Sequence, residues 1–223
     1  MLDIGGESTR PGAEPVALED ELARVLPVVE ALAPRGALSI DTTKARVAAA
    51  ALAAGARVVN DVSAARLEPE ILALVAAHGA GLILMHMRGT PRDMQREPHY
   101  DDVVREVTAH LRARAAAAWQ AGVALERIAL DPGLGFGKDL NHNLALLRAL
   151  PELTSLGFPL VVGLSRKRFL GALTGEERPE RREHATTAGV ALAHARGAAW
   201  HRVHDVCAAR AALAVAAALE GGV

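Results

Sequence analysis

The chain has 223 residues, 51% of them hydrophobic, and its 25 Lys and Arg against 26 Asp and Glu give a formal net charge of −1. This length is ample for a large buried core, and the near-zero charge excludes the strongly basic surface of a dedicated nucleic-acid-binding protein. A single cysteine, Cys207, excludes an internal disulfide framework and predicts a reducing, cytoplasmic location. No apolar run reaches the roughly 18 to 20 residues that a membrane span needs, and residues 1–3 do not open a signal peptide.

Short β-rich runs alternate with longer helical stretches along the chain. The predicted strands are Leu2–Ile4, Ala37–Ile40, Arg57–Val59, Gly81–Leu84, Ile128–Leu130, Pro159–Gly163 and Ala199–Val203. The predicted helices are Val16–Leu32, Ala45–Ala54, Pro69–His78, about 102–121, Asn141–Leu150, Ala185–Arg196 and Ala208–Leu219. Because composition does not change along these seven strand-then-helix units, we predict one domain over residues 1–223.

Alternating strands and helices imply parallel strands with right-handed crossovers, in either an open doubly wound sheet or a (β/α)₈ barrel. Polar clusters follow the strands at Gly5–Pro11, Asp41–Thr42, Asn60–Asp61, Met85–Arg88, Asp131–Lys138, Ser165–Lys167 and Arg202–Asp205. In a barrel all of these converge on one rim, whereas an open sheet spreads them along an edge, so we favour the barrel. The first strand abuts Met1, so the fold class is an α/β TIM-type barrel with seven units present and the N-terminal one missing.

The carboxylates and amide after these strands suit a planar heterocycle. Asp41 and Asp131 follow apolar strands, and a carboxylate at a mostly dry rim needs a donor, such as a ring N–H beside an NH₂ group. Either aspartate alone is as well explained by capping of the next helix, so the inference depends on the recurrence of polar groups around the rim. Asn60 offers both a donor and an acceptor to a ring edge.

Cationic groups on the same rim suit a diphosphate. The turn 165–168 places three cations in four residues, although such a turn is also compatible with a solvated surface. Arg202 and His204 alternate across Val203, so their side chains point the same way and can form an anion site. The glycine-rich loop 131–138 allows close approach of a ligand and lacks the spacing of a Walker loop. The rim therefore predicts transfer from a heterocyclic diphosphate, with no protein nucleophile.

These motifs, taken together and in chain order, resemble the dihydropteroate synthase family. They are DIGGESTRPG at 3–12, SIDT at 39–42, NDV at 60–62, LMHM at 84–87, DPGLGFGK at 131–138, SRKR at 165–168 and RVHDV at 202–206. The resemblance covers essentially the whole chain, and the first and last two motifs are highly specific together. It implies a (β/α)₈ fold, a homodimer and a role in folate synthesis.

The resemblance implies a transferase that condenses 6-hydroxymethyl-7,8-dihydropterin diphosphate with p-aminobenzoate, with Mg²⁺, to give 7,8-dihydropteroate and diphosphate. It assigns the pterin to Asp41, Asn60, Met85, Asp131, Phe136 and Lys167. It assigns the diphosphate to Thr9, Arg202 and His204, and p-aminobenzoate to Arg10, Pro11, Ser165 and Arg168. The catalytic residues implied in this way are Asp41, Asp131 and Lys167.

One departure from the family pattern leaves alternatives open. The family begins with a strand ending in a motif like Asn-Val-Thr-Pro-Asp-Ser-Phe, which carries its metal-binding Asn and is absent from this sequence. We therefore expect no metal ligand in this chain, and a misplaced start codon is favoured over a real truncation. A pterin- or folate-binding methyltransfer domain would share the rim Asp and Asn residues but would have no leaving diphosphate to hold. A catalytically impaired, truncated pterin-binding protein would bind pterin and form no product.

Overall fold

Seven parallel strands form one sheet in the computed structural model, which describes residues 1–221. The strands are β1 (Leu2–Gly5), β2 (Leu38–Asp41), β3 (Val58–Asp61), β4 (Gly81–Met85), β5 (Ile128–Asp131), β6 (Leu160–Gly163) and β7 (Ala198–Arg202). Each strand pairs with the next one along the chain, in the order β1 to β7. The seven predicted strands are therefore confirmed, with ends shifted by one or two residues. The single domain over residues 1–223 stays a prediction, and residues 222–223 lie outside the described part.

Helices follow the strands and cover the outer face of the sheet. They are α1 (Leu18–Leu32), α2 (Ala45–Ala53), α3 (Glu70–His78), α4 (Val103–Gln120), α5 (Leu140–Arg148), α6 (Leu150–Thr154), α7 (Arg168–Thr174), α8 (Glu183–His194) and α9 (Val206–Leu219). None of the helices within residues 1–221 combines the length and apolarity that a bilayer crossing requires.

One helix prediction was wrong, and one helix was not predicted. The predicted helix Asn141–Leu150 ends at Arg148, and a separate short helix begins at Leu150 with Pro151 in its first turn. Proline lacks the N–H that would continue the first helix, but its fixed φ suits the opening of the next one. Helix α7 was not predicted because it begins inside the basic motif 165–168, which was interpreted as a turn.

The sheet curls so that its first and last strands approach each other at the carboxyl ends. Nη1 of Arg202, at the end of β7, lies 3.2 Å from an oxygen of Asp41 on β2 and 3.5 Å from one of Asp3 on β1. Within residues 1–221, β1 and β7 are the two unpaired edges of the sheet. A doubly wound sheet would instead reverse its strand order at a switch point. The fold is thus a TIM-type barrel with seven strand–helix units.

The hydrophobic core lies between the outer face of the sheet and the helices. Leu38, Ile40 and Leu82 are completely or almost completely buried there. Since side chains alternate along a strand, the residues between these core positions face the barrel interior. In β2 these are Ser39 and Asp41. The same alternation that packs the helices therefore supplies the inward-facing polar residues of the site.

Candidate active site

Inward-facing residues from neighbouring strands stand side by side at the rim of the barrel. Asp41 of β2 is in register with Asn60 of β3. Met85 of β4 is in register with Asp131 of β5. Because parallel strands keep equal register positions on one face, these four predicted pterin-binding residues share one concave surface.

Two cationic side chains lie beside a glycine on β6. Gly163 is in register with Arg202 of β7. A Cβ added at Gly163 would lie 3.7 Å from Nε and Nη2 of Arg202 and 3.7 Å from Nζ of Lys167. The two predicted cationic residues therefore converge on the same point of the inner wall. Sequence reasoning assigned them to different ligands, and the structure makes them neighbours.

Arg202 is tied into a network of hydrogen bonds that includes Asp3. Nη1 of Arg202 donates to Oδ2 of Asp41 at 3.2 Å and lies 3.5 Å from Oδ2 of Asp3. The Asp3 carboxylate also accepts from Oγ of Ser39 at 2.5 Å and from Nδ2 of Asn60 at 3.0 Å. Sequence reasoning gave Asp3 no role, because it precedes the end of β1 and only the register with Ser39 reveals that it faces inward.

The carboxylate of Asp41 is available to a ligand. The pKa of Asp41 is raised to about 7, mainly by burial and then by the negative charge of Asp3, while the Arg202 guanidinium opposes the rise. Oδ1 of Asp41 is buried and has no hydrogen-bond partner within residues 1–221. Helix α2 begins after Lys44 without a side-chain cap, so Asp41 is not its capping residue. An orphaned acceptor of this kind is a place for a ligand donor.

Asp131 and Lys167 influence each other electrostatically beside the glycine-rich loop. Oδ1 of Asp131 accepts from the N–H of Gly133 at 2.7 Å, and burial raises the pKa of this carboxyl while the Lys167 charge opposes the rise. Nζ of Lys167 donates to the carbonyl of Leu134 and lies 4.8 Å from the centre of the Phe136 ring. Burial lowers the pKa of Lys167 to about 8, with Asp131 opposing the fall. The arrangement places a carboxylate, an ammonium group and an aromatic face together.

An apolar cluster forms one wall of this pocket. Phe136 packs with Met85, Val62, Met87 and Met94, and all five side chains are buried. The thioethers and the ring are soft, polarisable surfaces that suit the face of a flat heterocycle. The two predicted pocket residues, Met85 and Phe136, therefore belong to the same buried cluster, together with three residues that were not predicted.

Lys138 holds the glycine-rich loop from within. Its side chain is only 2% exposed, and its Nζ donates to the carbonyls of Gly133 at 2.9 Å and Phe136 at 3.0 Å. It also bonds Nδ1 of His86 at 2.9 Å, and burial lowers the pKa of His86 to about 2, which keeps this ring neutral. Gly133 has φ +66°, and a Cβ there would lie 1.9 Å from the carbonyl oxygen of His86. The loop lysine therefore fixes backbone and does not face the rim.

Replacing Lys138 with methionine is expected to lower the free energy of unfolding by about 2–3 kcal/mol, because buried carbonyls lose their donor. The measurement is urea-induced unfolding followed by circular dichroism. Arg112→Met on the exposed face of α4 is the matched control, which removes a cation without exposing buried acceptors. Equal unfolding midpoints for the two variants would contradict the anchoring role of Lys138.

Positive charges surround His204 at the outer part of the rim. Nδ1 of His204 lies 2.7 Å from Oγ of Ser165, whose oxygen also accepts from the His204 N–H at 3.2 Å. Burial lowers the pKa of His204, the charges of Arg166 and Arg10 lower it further, and the charge of Glu183 opposes the fall. The predicted anion-binding histidine thus borders Ser165, which sequence reasoning assigned to the second substrate.

Other predicted residues lie farther out. The three cations of the 165–168 turn diverge, because Lys167 points inward, Nε of Arg166 donates to Glu183 at 3.0 Å and Arg168 is exposed. Thr9 is half-buried on the loop after β1, and Arg10 and Pro11 are exposed there. The 7–12 loop itself is fixed below by Lys44, which pairs with Glu7 at 2.8 Å.

The described residues give Mg²⁺ no dedicated site. Residues 1–221 contain no group of three or more His, Cys, Asp or Glu side chains placed to hold one metal ion. The carboxylates of Asp3 and Asp41 lie close together, but Arg202 engages both of them. Mg²⁺ in proteins is commonly held by one or two carboxylates, waters and substrate phosphates.

Comparisons with known proteins agree with this geometry. A family model described as pterin binding enzyme matches residues 1–204. The chain is 50% identical over 208 residues to the dihydropteroate synthase of Synechocystis sp., covering 92% of this chain and 72% of that protein.

Solved structures resemble the whole described fold. The dihydropteroate synthase of Xanthomonas albilineans with 4-aminobenzoic acid has a TM-score of 0.93 and 50% identity, covering 98% of this chain and 79% of that one. The dihydropteroate synthase of Burkholderia cenocepacia complexed with 7,8-dihydropteroate has a TM-score of 0.91 and 49% identity, covering 99% and 81%. The fold class predicted from the polar clusters is confirmed.

Proposed function

The chain belongs to the pterin binding enzyme family, and on that premise we propose that it is a dihydropteroate synthase. This transferase condenses 6-hydroxymethyl-7,8-dihydropterin diphosphate with p-aminobenzoate and releases 7,8-dihydropteroate and diphosphate. The observation that carries the proposal is the unpartnered buried oxygen of Asp41 on the same rim as Asp131, Lys167 and Arg202. Such a rim offers acceptors to a heterocycle and cations to a diphosphate. Relatives bearing this function match 92% or more of the chain.

The pterin is held by two carboxylates and an amide. Asp41 accepts through its unpartnered Oδ1, and Asp131 accepts through the oxygen that Gly133 leaves free. Asn60 completes the ring edge with its acceptor, because its Nδ2 is committed to Asp3. In a dry site each such bond discriminates strongly against a ring without the matching donor.

The walls of the pocket determine the plane of the ring. Met85 and Phe136 enclose the face of the pterin, and Lys167 above Phe136 places a donor at the ring edge opposite Asp131. An ammonium group that already donates to the Leu134 carbonyl is oriented before substrate arrives. This preorganisation reduces the ordering cost of binding.

The diphosphate occupies the cationic side of the rim. Nη1 of Arg202 is engaged by Asp41, which leaves Nε and Nη2, beside Gly163, for an anion. His204 and Thr9 add donors at the outer edge, near the positive charge of Arg10. Charge-assisted bonds to phosphate oxygens neutralise the leaving group.

The reaction needs no protein nucleophile. The C–O bond between the pterin methylene and the diphosphate breaks, and the diphosphate leaves with the electron pair. The aromatic amine of p-aminobenzoate forms the new C–N bond and loses its proton to water or to the departing phosphate. The carboxylates of Asp41 and Asp131 stabilise positive charge that develops on the pterin, and holding the two substrates in line supplies further acceleration.

The second substrate lies at the outer rim. Ser165, next to His204, offers a hydroxyl beside the diphosphate site. Arg10, Pro11 and Arg168 are exposed there. The two arginines supply cations for the carboxylate of p-aminobenzoate. The basic turn 165–168 and the pair of Arg202 and His204 argue against a methyltransfer domain, which has no leaving diphosphate to hold.

Further features of the family belong to the same proposal. Exposed Leu192, Val215 and Leu219 on α8 and α9 support a homodimer. Mg²⁺ would arrive with the diphosphate, since the described residues offer it no site of their own. The cytoplasmic location stays a prediction from the single cysteine.

The experiment is an assay of the purified chain with 6-hydroxymethyl-7,8-dihydropterin diphosphate and p-aminobenzoate. We expect 7,8-dihydropteroate and diphosphate in equal amounts. Pterin binding without product would contradict the proposal and support the impaired pterin-binding alternative. Pterin affinity that does not increase when the ligand carries a diphosphate would favour the methyltransfer alternative.

A further inference from the structure

We propose that Asp3 is a positioning residue that joins the ring-binding half of the site to the anion-binding half, by fixing the Asn60 amide and the Arg202 guanidinium. The inference rests on the proposed function, since it takes Asn60 to meet the pterin and Arg202 to meet the diphosphate. It assigns Asp3 no contact with either substrate.

A single carboxylate oxygen carries the connection. Oδ2 of Asp3 accepts from Nδ2 of Asn60 at 3.0 Å and lies 3.5 Å from Nη1 of Arg202. Its other oxygen, Oδ1, accepts from Oγ of the fully buried Ser39 at 2.5 Å. Both oxygens are thus engaged by protein donors, and Ser39 holds the carboxylate in one orientation.

The strand register sets Asp3 two positions from the rim, although its side chain is 19% exposed against 14% for Asp41. Asp3 is in register with Ser39, whereas the rim residue Asp41 is in register with Gly5, two positions farther along β1. Two residues of a strand span about 6.6 Å. Asp3 therefore lies one layer below the rim, and the residue above it is a glycine with no side chain.

The hydrogen bond to Asp3 fixes the orientation of the Asn60 side-chain amide. Because Nδ2 of Asn60 donates to Asp3, the acceptor Oδ1 is the atom left for the ring. Without a negative acceptor at Asp3, the amide has no reason to keep its NH₂ group turned inward. A ring donor would then meet the wrong end of the amide in part of the population.

The ion pairs of Arg202 connect the carboxyl end of β7 with β1 and β2. Within residues 1–221, no backbone ladder joins β7 to β1. Nη1 is engaged by Asp3 and Asp41, so the guanidinium is held by one corner and its other nitrogens stay free. Loss of Asp3 leaves a single carboxylate to orient this long side chain.

Charge gives a signature that a purely structural role would not produce. The charged groups facing Asp41 are Asp3 from β1, Arg202 from β7, Asp61 from β3 and Glu21 from α1. The carboxylates of this set hold the pKa of Asp41 up, and Arg202 holds it down. Pterin binding should weaken as the pH falls through about 7, since Asp41 then gains a proton and loses an acceptor. Neutralising Asp3 should move this loss to lower pH.

The test is calorimetry with two probes, inorganic diphosphate and 6-hydroxymethyl-7,8-dihydropterin, on Asp3→Asn between pH 5.5 and about 9. We expect the Kd of diphosphate to rise about tenfold and that of the pterin about threefold at pH 8. We also expect the acid limb of pterin binding to shift to lower pH. The exposed Asp20→Asn on α1 is the matched control and should leave all three quantities unchanged.

The outcomes separate positioning from simple repulsion. Removing a negative charge near Arg202 would, on charge alone, tighten diphosphate binding, so an unchanged or lower Kd overturns the proposal. Ser39→Ala, which keeps the charge and frees the carboxylate, should weaken both ligands without moving the acid limb, and it serves if Asp3→Asn does not fold. If the unmodified chain binds neither probe, the proposed function itself fails.

Discussion

Replacing Lys167 with alanine is expected to lower kcat/KM by about 100-fold, with little change in the fold. Hydrogen bonds to charged groups contribute roughly 1.5–3 kcal/mol, and the upper part of this range corresponds to two orders of magnitude. Lys167 is oriented by the Leu134 carbonyl and the Phe136 ring, and the charge of Asp131 acts on it. Its loss removes the donor at the ring edge and leaves the buried Asp131 without its opposing charge.

The measurement is steady-state kinetics with both substrates, supported by urea unfolding. Lys167→Arg keeps the charge and should therefore recover part of the activity. Recovery should be incomplete, because the guanidinium is larger than the ammonium group that it replaces. The exposed Arg112→Ala on α4 is the control for loss of a cation. If Lys167→Ala turns over within about twofold of the parent chain, the assigned role is wrong.

Exchanging Asp131 for asparagine is expected to weaken pterin binding by about 10- to 100-fold, with p-aminobenzoate affinity nearly unchanged. The reason is local geometry, because Oδ1 of Asp131 is committed to the N–H of Gly133 at 2.7 Å. The amide of an asparagine that keeps this bond turns its NH₂ toward the ring, where two donors face each other. A carboxylate offers an acceptor at both positions.

Calorimetry with each ligand separately measures this difference. The pKa of Lys167 should also fall below about 8, because Asp131 is the group that holds it up. Pterin binding in Asp131→Asn should therefore decline at lower pH on the basic side. Equal weakening of both ligands, beside an unchanged Asp20→Asn control, would show that Asp131 acts through general stability instead of ring recognition.

Most strands and helices of this fold can be predicted from the sequence, because each one follows a local pattern of apolar residues. Buried strands such as β6 (Leu160–Gly163) are short apolar runs, and α4 shows the helical spacing of Val103, Val107 and Leu111 on its buried face. Failures occur where a local rule is interrupted. Pro151 splits one helix in two, and the basic motif conceals the start of α7.

The residues of the site could also be predicted from the sequence, but the groups that they contact could not. Asp41, Asn60 and Asp131 stand out because each polar side chain lies at the last or next-to-last position of a short strand that begins with apolar residues. Lys138 stands out equally in the glycine-rich loop, yet it bonds the backbone of that loop and faces no ligand. Residue type and position along the chain do not distinguish these two uses of a charged group.

The sequence by itself determined the family, the order of the seven strands, and which strand ends carry polar chemistry. Only the tertiary structure decided that Asp3 connects Asn60 with Arg202, that Lys167 and Arg202 meet beside Gly163, and that the three cations of the 165–168 turn diverge. The physical reason is that strand and helix periodicities are local, whereas these contacts join residues up to 199 positions apart. Their geometry depends on the register and curl of the sheet, which bring distant strand ends to one rim.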